Sequence, residues 1–125
     1  MARGKVFLVD DDASVRKALD RLIRAGGYEV EPLADAASFL MCSVPTVPAC
    51  LVLDIRMPGM SGLELKAAIE GTSLALPVVF ITSHGDEDVR SQALASGAVD
   101  VLFKPLEAGV LFAAIERALA VPRAP

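Results

Sequence analysis

The sequence has little with which to staple or anchor a fold. Only two cysteines occur among 125 residues, Cys42 and Cys50, on either side of a proline-broken stretch. Two are too few for a disulfide framework or a zinc site of their own. They read as semi-buried thiols in a reducing compartment. No apolar run approaches the ~20 residues needed to span a bilayer. Met1-Ala2-Arg3-Gly4-Lys5 leads straight into a strand-like segment without an apolar signal core. Export is therefore not expected, and the expected setting is the cytoplasm, away from membranes. Positive charge is also short: the formal net charge is −4 and the pI about 4.9. That excludes bulk electrostatic attraction to nucleic acid or anionic lipid. Neither Gly-x-Gly-x-x-Gly nor Gly-x-x-x-x-Gly-Lys follows the first apolar run, and the acids found there would repel a phosphate without metal. Internal repeats and low-complexity blocks are missing as well.

What is there is a core-rich chain, 54% apolar and 22% charged. At this length it should bury roughly two-thirds of its extended-chain surface around one core. Residues 1–120 read as one domain, and 121–125 as a tail or linker remnant. Five short apolar runs, Lys5–Val9, Tyr28–Leu33, Ala49–Leu53, Pro77–Ile81 and Val99–Phe103, suit strands buried on both faces. Pro32 places the second run at a sheet edge. Between Ala13 and Ala25, Val15, Ala18, Leu19, Leu22 and Ile23 recur at helical spacing. Arg16, Lys17, Asp20, Arg21 and Arg24 lie elsewhere around that helix, and Gly26-Gly27 stops it. Asp35 should cap a short helix to about Met41. Further helical patterns run from Leu63 to about Ile69, Asp86 to Ser96 and Glu107 to Ala120. Strands alternating with helices predict an α/β fold with right-handed crossovers and a parallel sheet covered on both faces.

Open parallel sheets carry their sites at the carboxyl ends of the strands. Asp10-Asp11-Asp12, Asp54, Thr82-Ser83 and Lys104 stand at those ends. Groups far apart in sequence should therefore meet on one edge. Two carboxylates 4 Å apart repel by about 4 kcal/mol at an effective dielectric near 20. Three of them raise a pKa, bind a cation, or both, and one lysine does not neutralise them. Oxygen ligands with open positions suit Mg²⁺ or Mn²⁺. A phosphoryl oxygen could complete such a site, with Thr82 and Lys104 as donors, because phosphoryl transfer depends mainly on positioning and charge neutralisation.

Val9-Asp10-Asp11, Asp54, Met57-Pro58-Gly59-Met60-Ser61-Gly62, Thr82 and Lys104-Pro105, each in register with a strand end, resemble the receiver domain of two-component response regulators. The resemblance runs from about Lys5 to Leu119. Ile81-Thr82-Ser83-His84-Gly85-Asp86 and Ala98-Val99-Asp100 further resemble the FixJ-like subgroup. It implies a flavodoxin-like (βα)5 fold, a doubly wound five-stranded parallel sheet of order 2-1-3-4-5. It implies that Asp54 accepts a phosphoryl group from a sensor histidine kinase or a small acyl phosphate. Asp11 would be the main Mg²⁺ ligand, Asp10 would hold a metal-bound water, and Asp54 and the Arg56 backbone carbonyl would complete the set. Thr82 would move toward the phosphoryl group and Lys104 would pair with it. The peptide before Pro105 is often cis in the family. The implied output is a change in the face built by the fourth helix, fifth strand and fifth helix, read by an output domain or partner protein, with homodimerisation family-typical. Such a domain catalyses only its own phosphorylation and dephosphorylation.

One position departs from the family. Three residues before Lys104 a Phe or Tyr is usual, and Val101 stands there. Phe103 shares its strand face but lies nearer the site, so a ring-flip relay is not expected in its usual form. Read alone, Asp10-Asp11-Asp12 would be an acidic helix cap, Thr82 a turn hydroxyl and Lys104 a solvated lysine. Their common strand-end placement favours a site. The Arg56 side chain and His84 read as solvated loop residues that at most modulate access. Met57 and Met60 read as loop packing. Two other functions compete. A haloacid-dehalogenase-like phosphotransferase normally has a second Asp two residues after its nucleophile, where Arg56 stands. A degenerate receiver serving only as a binding module would lack ligating groups that are all present here.

Overall fold

A computed structural model describes residues 3–83 and 87–122. Its elements alternate as β1 (Lys5–Val9), α1 (Ala13–Ala25), β2 (Glu29–Leu33), α2 (Ala36–Leu40), β3 (Ala49–Asp54), α3 (Gly62–Ile69), β4 (Val78–Ser83), α4 (Glu87–Ala95), β5 (Asp100–Lys104) and α5 (Ala108–Ala120). The five strands form one parallel sheet of order β2-β1-β3-β4-β5. Every residue of the central strand β3 is buried, as expected where helices cover both sheet faces. Pro32 does lie on an edge strand.

Alternation along the strands divides the core in two. Phe7, Val9, Leu51, Leu53, Phe80 and Val101 face α2, α3 and α4, where Phe39, Leu65, Ile69 and Ala93 meet them. Val6, Leu8, Cys50, Val52, Val79 and Ile81 face α1 and α5, packed on Leu19, Ile23, Leu111 and Ile115. Phe39 closes the short helix α2 onto β1 through an edge-to-face contact with Phe7, ring centroids 5.3 Å apart. Cys50 is fully buried and Cys42 half-buried, both free thiols.

The caps follow the local chemistry. Asp35 accepts from the Ser38 amide at the start of α2. Ser61 and Glu64 form a reciprocal capping box at the start of α3. Gly27 takes the positive φ that ends α1, at +93°. Strands β3 and β4 run past their apolar residues, to Asp54 and Ser83. Ladder pairing continues there, Asp54 with Ile81 and Ser83 with Lys104, because backbone hydrogen bonds do not depend on side-chain polarity. Tyr28, expected as the first residue of β2, is buried just before it. The expected start of α4 at Asp86 lies outside the described residues, as does His84.

Candidate functional site

Strand register builds the site. Pairing of Val9 with Leu53 puts the residues that follow, Asp10 and Asp54, side by side where β1 and β3 end. Neighbouring β4 brings Thr82, and β5 brings Lys104. Carboxylate oxygens of Asp10, Asp11 and Asp54 lie within 4.8 Å of one another. Asp10 is fully buried, and Asp54 and Thr82 are each 5% exposed, whereas Asp11 is open to solvent. Asp12 behaves as an ordinary helix cap: its Oδ1 accepts from the Ser14 and Val15 amides. The capping interpretation of the acidic run thus holds for its third member alone.

Few donors offset the two buried acids. Asp10 Oδ1 accepts from the Asp12 amide at 2.9 Å, and Asp54 Oδ1 from the Arg56 amide at 3.3 Å. Lys104 Nζ stands 3.0 Å from Asp10 Oδ2 and 3.5 Å from Asp54 Oδ2. Burial pushes the Asp54 carboxyl up to about 6, and the Asp10 charge pushes the same way, against Lys104 and the Arg56 amide. Burial works to lower the Lys104 ammonium, but Asp10 and Asp54 outweigh it and the net shift is upward. Lys104 therefore stays charged at neutral pH.

These residues fit a hard divalent cation. Asp10 Oδ2 is buried and, among the described residues, accepts no hydrogen bond. Its contact with Lys104 is an ion pair outside hydrogen-bond geometry, so lone-pair capacity remains. Three carboxylates against one ammonium leave excess negative charge, and oxygen-only donors with one open side suit Mg²⁺. The Thr82 hydroxyl is weakly engaged, donating to the Ser83 carbonyl at 3.5 Å. It can be redirected at small cost.

Around this centre, Lys104–Pro105 is a cis peptide. Arg56 is exposed, Met57 is part of the core and Met60 is exposed. Val101 is buried in the core layer that contains Ala93 of α4. Phe103, on the same strand face, is half-buried. Gly62 begins α3 so close to β3 that a Cβ there would stand 2.3 Å from the Asp54 carbonyl oxygen. Its amide donates to the Ile55 carbonyl at 2.8 Å, tying the loop back under Asp54. One participant was not visible in the sequence: Arg16 of α1 donates to the Asp10 carbonyl at 2.7 Å. Its place on the polar side of α1 gave no signal.

Comparison with known proteins agrees with this geometry. Residues 6–116 match the family described as the response regulator receiver domain. Nodulation protein W of Bradyrhizobium diazoefficiens is 43% identical over 100 residues, covering 80% of this chain and 44% of that protein. The crystal structure of FixJ-N superimposes with a TM-score of 0.88 at 38% identity, covering 100% of both chains. The response regulator StyR gives a TM-score of 0.84 at 47% identity, over 94% of this chain and 60% of that one. This chain spans about half the length of the curated relatives it matches. With both the fold and the acidic strand-end cluster in agreement, the chain belongs to the response regulator receiver domain family of two-component systems.

Proposed function

We propose that residues 1–120 act as a Mg²⁺-dependent phosphorylation switch, with Asp54 as phosphoacceptor and a sensor histidine kinase as donor; 121–125 would be tail or linker. The observation that carries this is the meeting of Asp54 with Asp10, Asp11 and Lys104 at one sheet edge. An Asp54 carboxylate oxygen attacks the phosphorus of a phosphohistidine. The new bond is O–P, the bond broken is N–P, and the imidazole leaves as the neutral base or takes a solvent proton. Asp10, Asp11, Asp54 and the Arg56 carbonyl would hold Mg²⁺, which when bound offsets the charge of carboxylates and phosphoryl oxygens. Lys104, held cationic between Asp10 and Asp54, would exchange its Asp54 contact for a phosphoryl oxygen. Thr82 would give up its weak bond to Ser83 and donate to another.

The domain regulates rather than turns over free substrates. Its readout would be the α4-β5-α5 face, acting on an output domain or partner protein, with homodimerisation on phosphorylation as one route. Arg56, exposed two residues after Asp54 in sequence, would tune phosphoryl lifetime, and so would His84. With Val101 in place of a ring, the transmitted change would be a repacking around Val101 and Ala93. The protein would work in the cytoplasm. Among the described residues, no helix is long and apolar enough to cross a membrane.

Intact-mass measurement after incubation with Mg²⁺ and acetyl phosphate tests the proposal. The expected result is a gain of one phosphoryl group in the parent, absent in Asp54→Asn and in chelator. Val101 favours a second reading, a receiver that binds partners without cycling phosphate. An unmodified parent that also gives no response to beryllofluoride would select it.

A further inference from the structure

Three oxygen atoms of Asp10 are engaged, besides its amide, which donates to the Leu33 carbonyl at 3.2 Å. Its Oδ1 accepts from the Asp12 amide, its Oδ2 pairs with Lys104, and its backbone carbonyl accepts from the Arg16 guanidinium at 2.7 Å. The first two contacts belong to the carboxylate cluster itself. The third comes from the first turn of α1. The Asp10 carbonyl and the Asp11 amide share one rigid peptide plane. A guanidinium fixed on that carbonyl therefore fixes the plane, and with it the direction in which Asp11 leaves the backbone. Asp11 is exposed, so packing does not place it. Even so, its carboxylate falls within 4.8 Å of those of Asp10 and Asp54.

We infer that Arg16 is a positioning residue for the cation site: by clamping the Asp10 carbonyl from α1, it sets the Asp11 carboxylate into a common ligand set with Asp10 and Asp54. The inference rests on the proposed Mg²⁺ site. Charge alone would act with the opposite sign, because a guanidinium beside three carboxylates competes with a divalent cation. Removing Arg16 weakens Mg²⁺ binding if positioning dominates, and tightens it if charge dominates.

Calorimetric titration with MgCl₂ decides between them, on the parent, Arg16→Met, Arg16→Lys and Arg24→Met. Arg24 is an internal control. It lies on the same helix and donates to a carbonyl in the same manner, to Val30 at 2.7 Å, but away from the acidic edge. Loss of a partner that orients a metal ligand typically weakens affinity by roughly 10–100-fold. Arg16→Met is expected to lose Mg²⁺ affinity in that range, Arg16→Lys less, and Arg24→Met to retain parental affinity even if its melting point drops. Equal or tighter binding in Arg16→Met overturns the inference, as does an equal loss in Arg24→Met, which would mean general loosening of α1. If Arg16→Met does not fold, Arg16→Lys and Arg16→Gln carry the same comparison. A parent that takes no Mg²⁺ removes the site itself and the inference with it; a parent that binds while Arg16→Met binds equally removes only the inference.

Discussion

Replacing Asp54 with asparagine should stabilise the metal-free protein at neutral pH. Burial and the neighbouring Asp10 raise the Asp54 carboxyl from its ordinary 3.8 to about 6. The folded state thus prefers the protonated form. The stability linked to this group is fully present below 3.8, the unfolded value, and is lost as pH rises through about 6. Two pKa units correspond to about 3 kcal/mol at 1.36 kcal/mol each. Asparagine keeps the shape without the charge, and Lys104 retains Asp10 as its partner. In chelator at about pH 7.5, Asp54→Asn should exceed the parent by on the order of 3 kcal/mol, roughly 10 °C in melting temperature for a chain of this size. Near pH 4 the two should converge. Saturating Mg²⁺ should narrow the neutral-pH gap from the parent's side, since a ligand at about 100 times its Kd adds about 2.7 kcal/mol. Thermal melts across pH, with and without chelator, read all three outcomes. An Asn variant less stable than the parent in chelator at neutral pH, or one whose advantage persists near pH 4, would refute the charge-crowding account.

Other substitutions test the scaffold around the site. Gly62→Ala should destabilise by about 1–3 kcal/mol or more, since its Cβ would press on the Asp54 carbonyl oxygen; denaturant unfolding measures it, and a neutral result would mean the β3–α3 approach is looser than described. Phe39→Ala should lose about 3–5 kcal/mol in the same assay, because the ring is fully buried against Phe7 and is the main anchor of the short helix α2. Lys66 on α3 donates to the Ser96 carbonyl at 2.6 Å, just past the end of α4, and also pairs with Glu70. Lys66→Met should remove about 1.5–3 kcal/mol of charge-assisted bonding. Because α4 fully buries Ala93 alone, the loss should appear in hydrogen exchange as faster exchange confined to α4 and Gly97. Uniformly faster exchange across the sheet would contradict that assignment.

Much of this was legible in the sequence because local and global signals agree. Apolar runs ending in Asp10, Asp54, Thr82 and Lys104 gave both the strands and the edge where chemistry gathers. Pro32 marked an edge strand, and Asp35 and Gly26-Gly27 marked helix ends, since each acts through its own backbone. The parts that stayed hidden depend on partners distant in the chain. Lys66 meets the carbonyl of Ser96, thirty residues away. Gly62 looked like one more turn former, yet it is required by a backbone from another element. Arg16 was one of several cations on the polar side of α1, and its spacing did not separate it from Lys17 or Arg21. Strand ends were placed short at Asp54 and Ser83 because hydrophobicity stops there while the ladder continues.

The central claim is that Asp54 is the phosphoacceptor. Borohydride reduces an acyl phosphate to the alcohol and converts a phosphorylated aspartate into homoserine. Reduction after treatment with Mg²⁺ and acetyl phosphate, followed by peptide sequencing in the mass spectrometer, reads the modified position directly. The account predicts homoserine at position 54, and its absence in chelator. Homoserine at position 10 or 11, or at no position in a parent that binds Mg²⁺ yet gives no response to beryllofluoride, would contradict it.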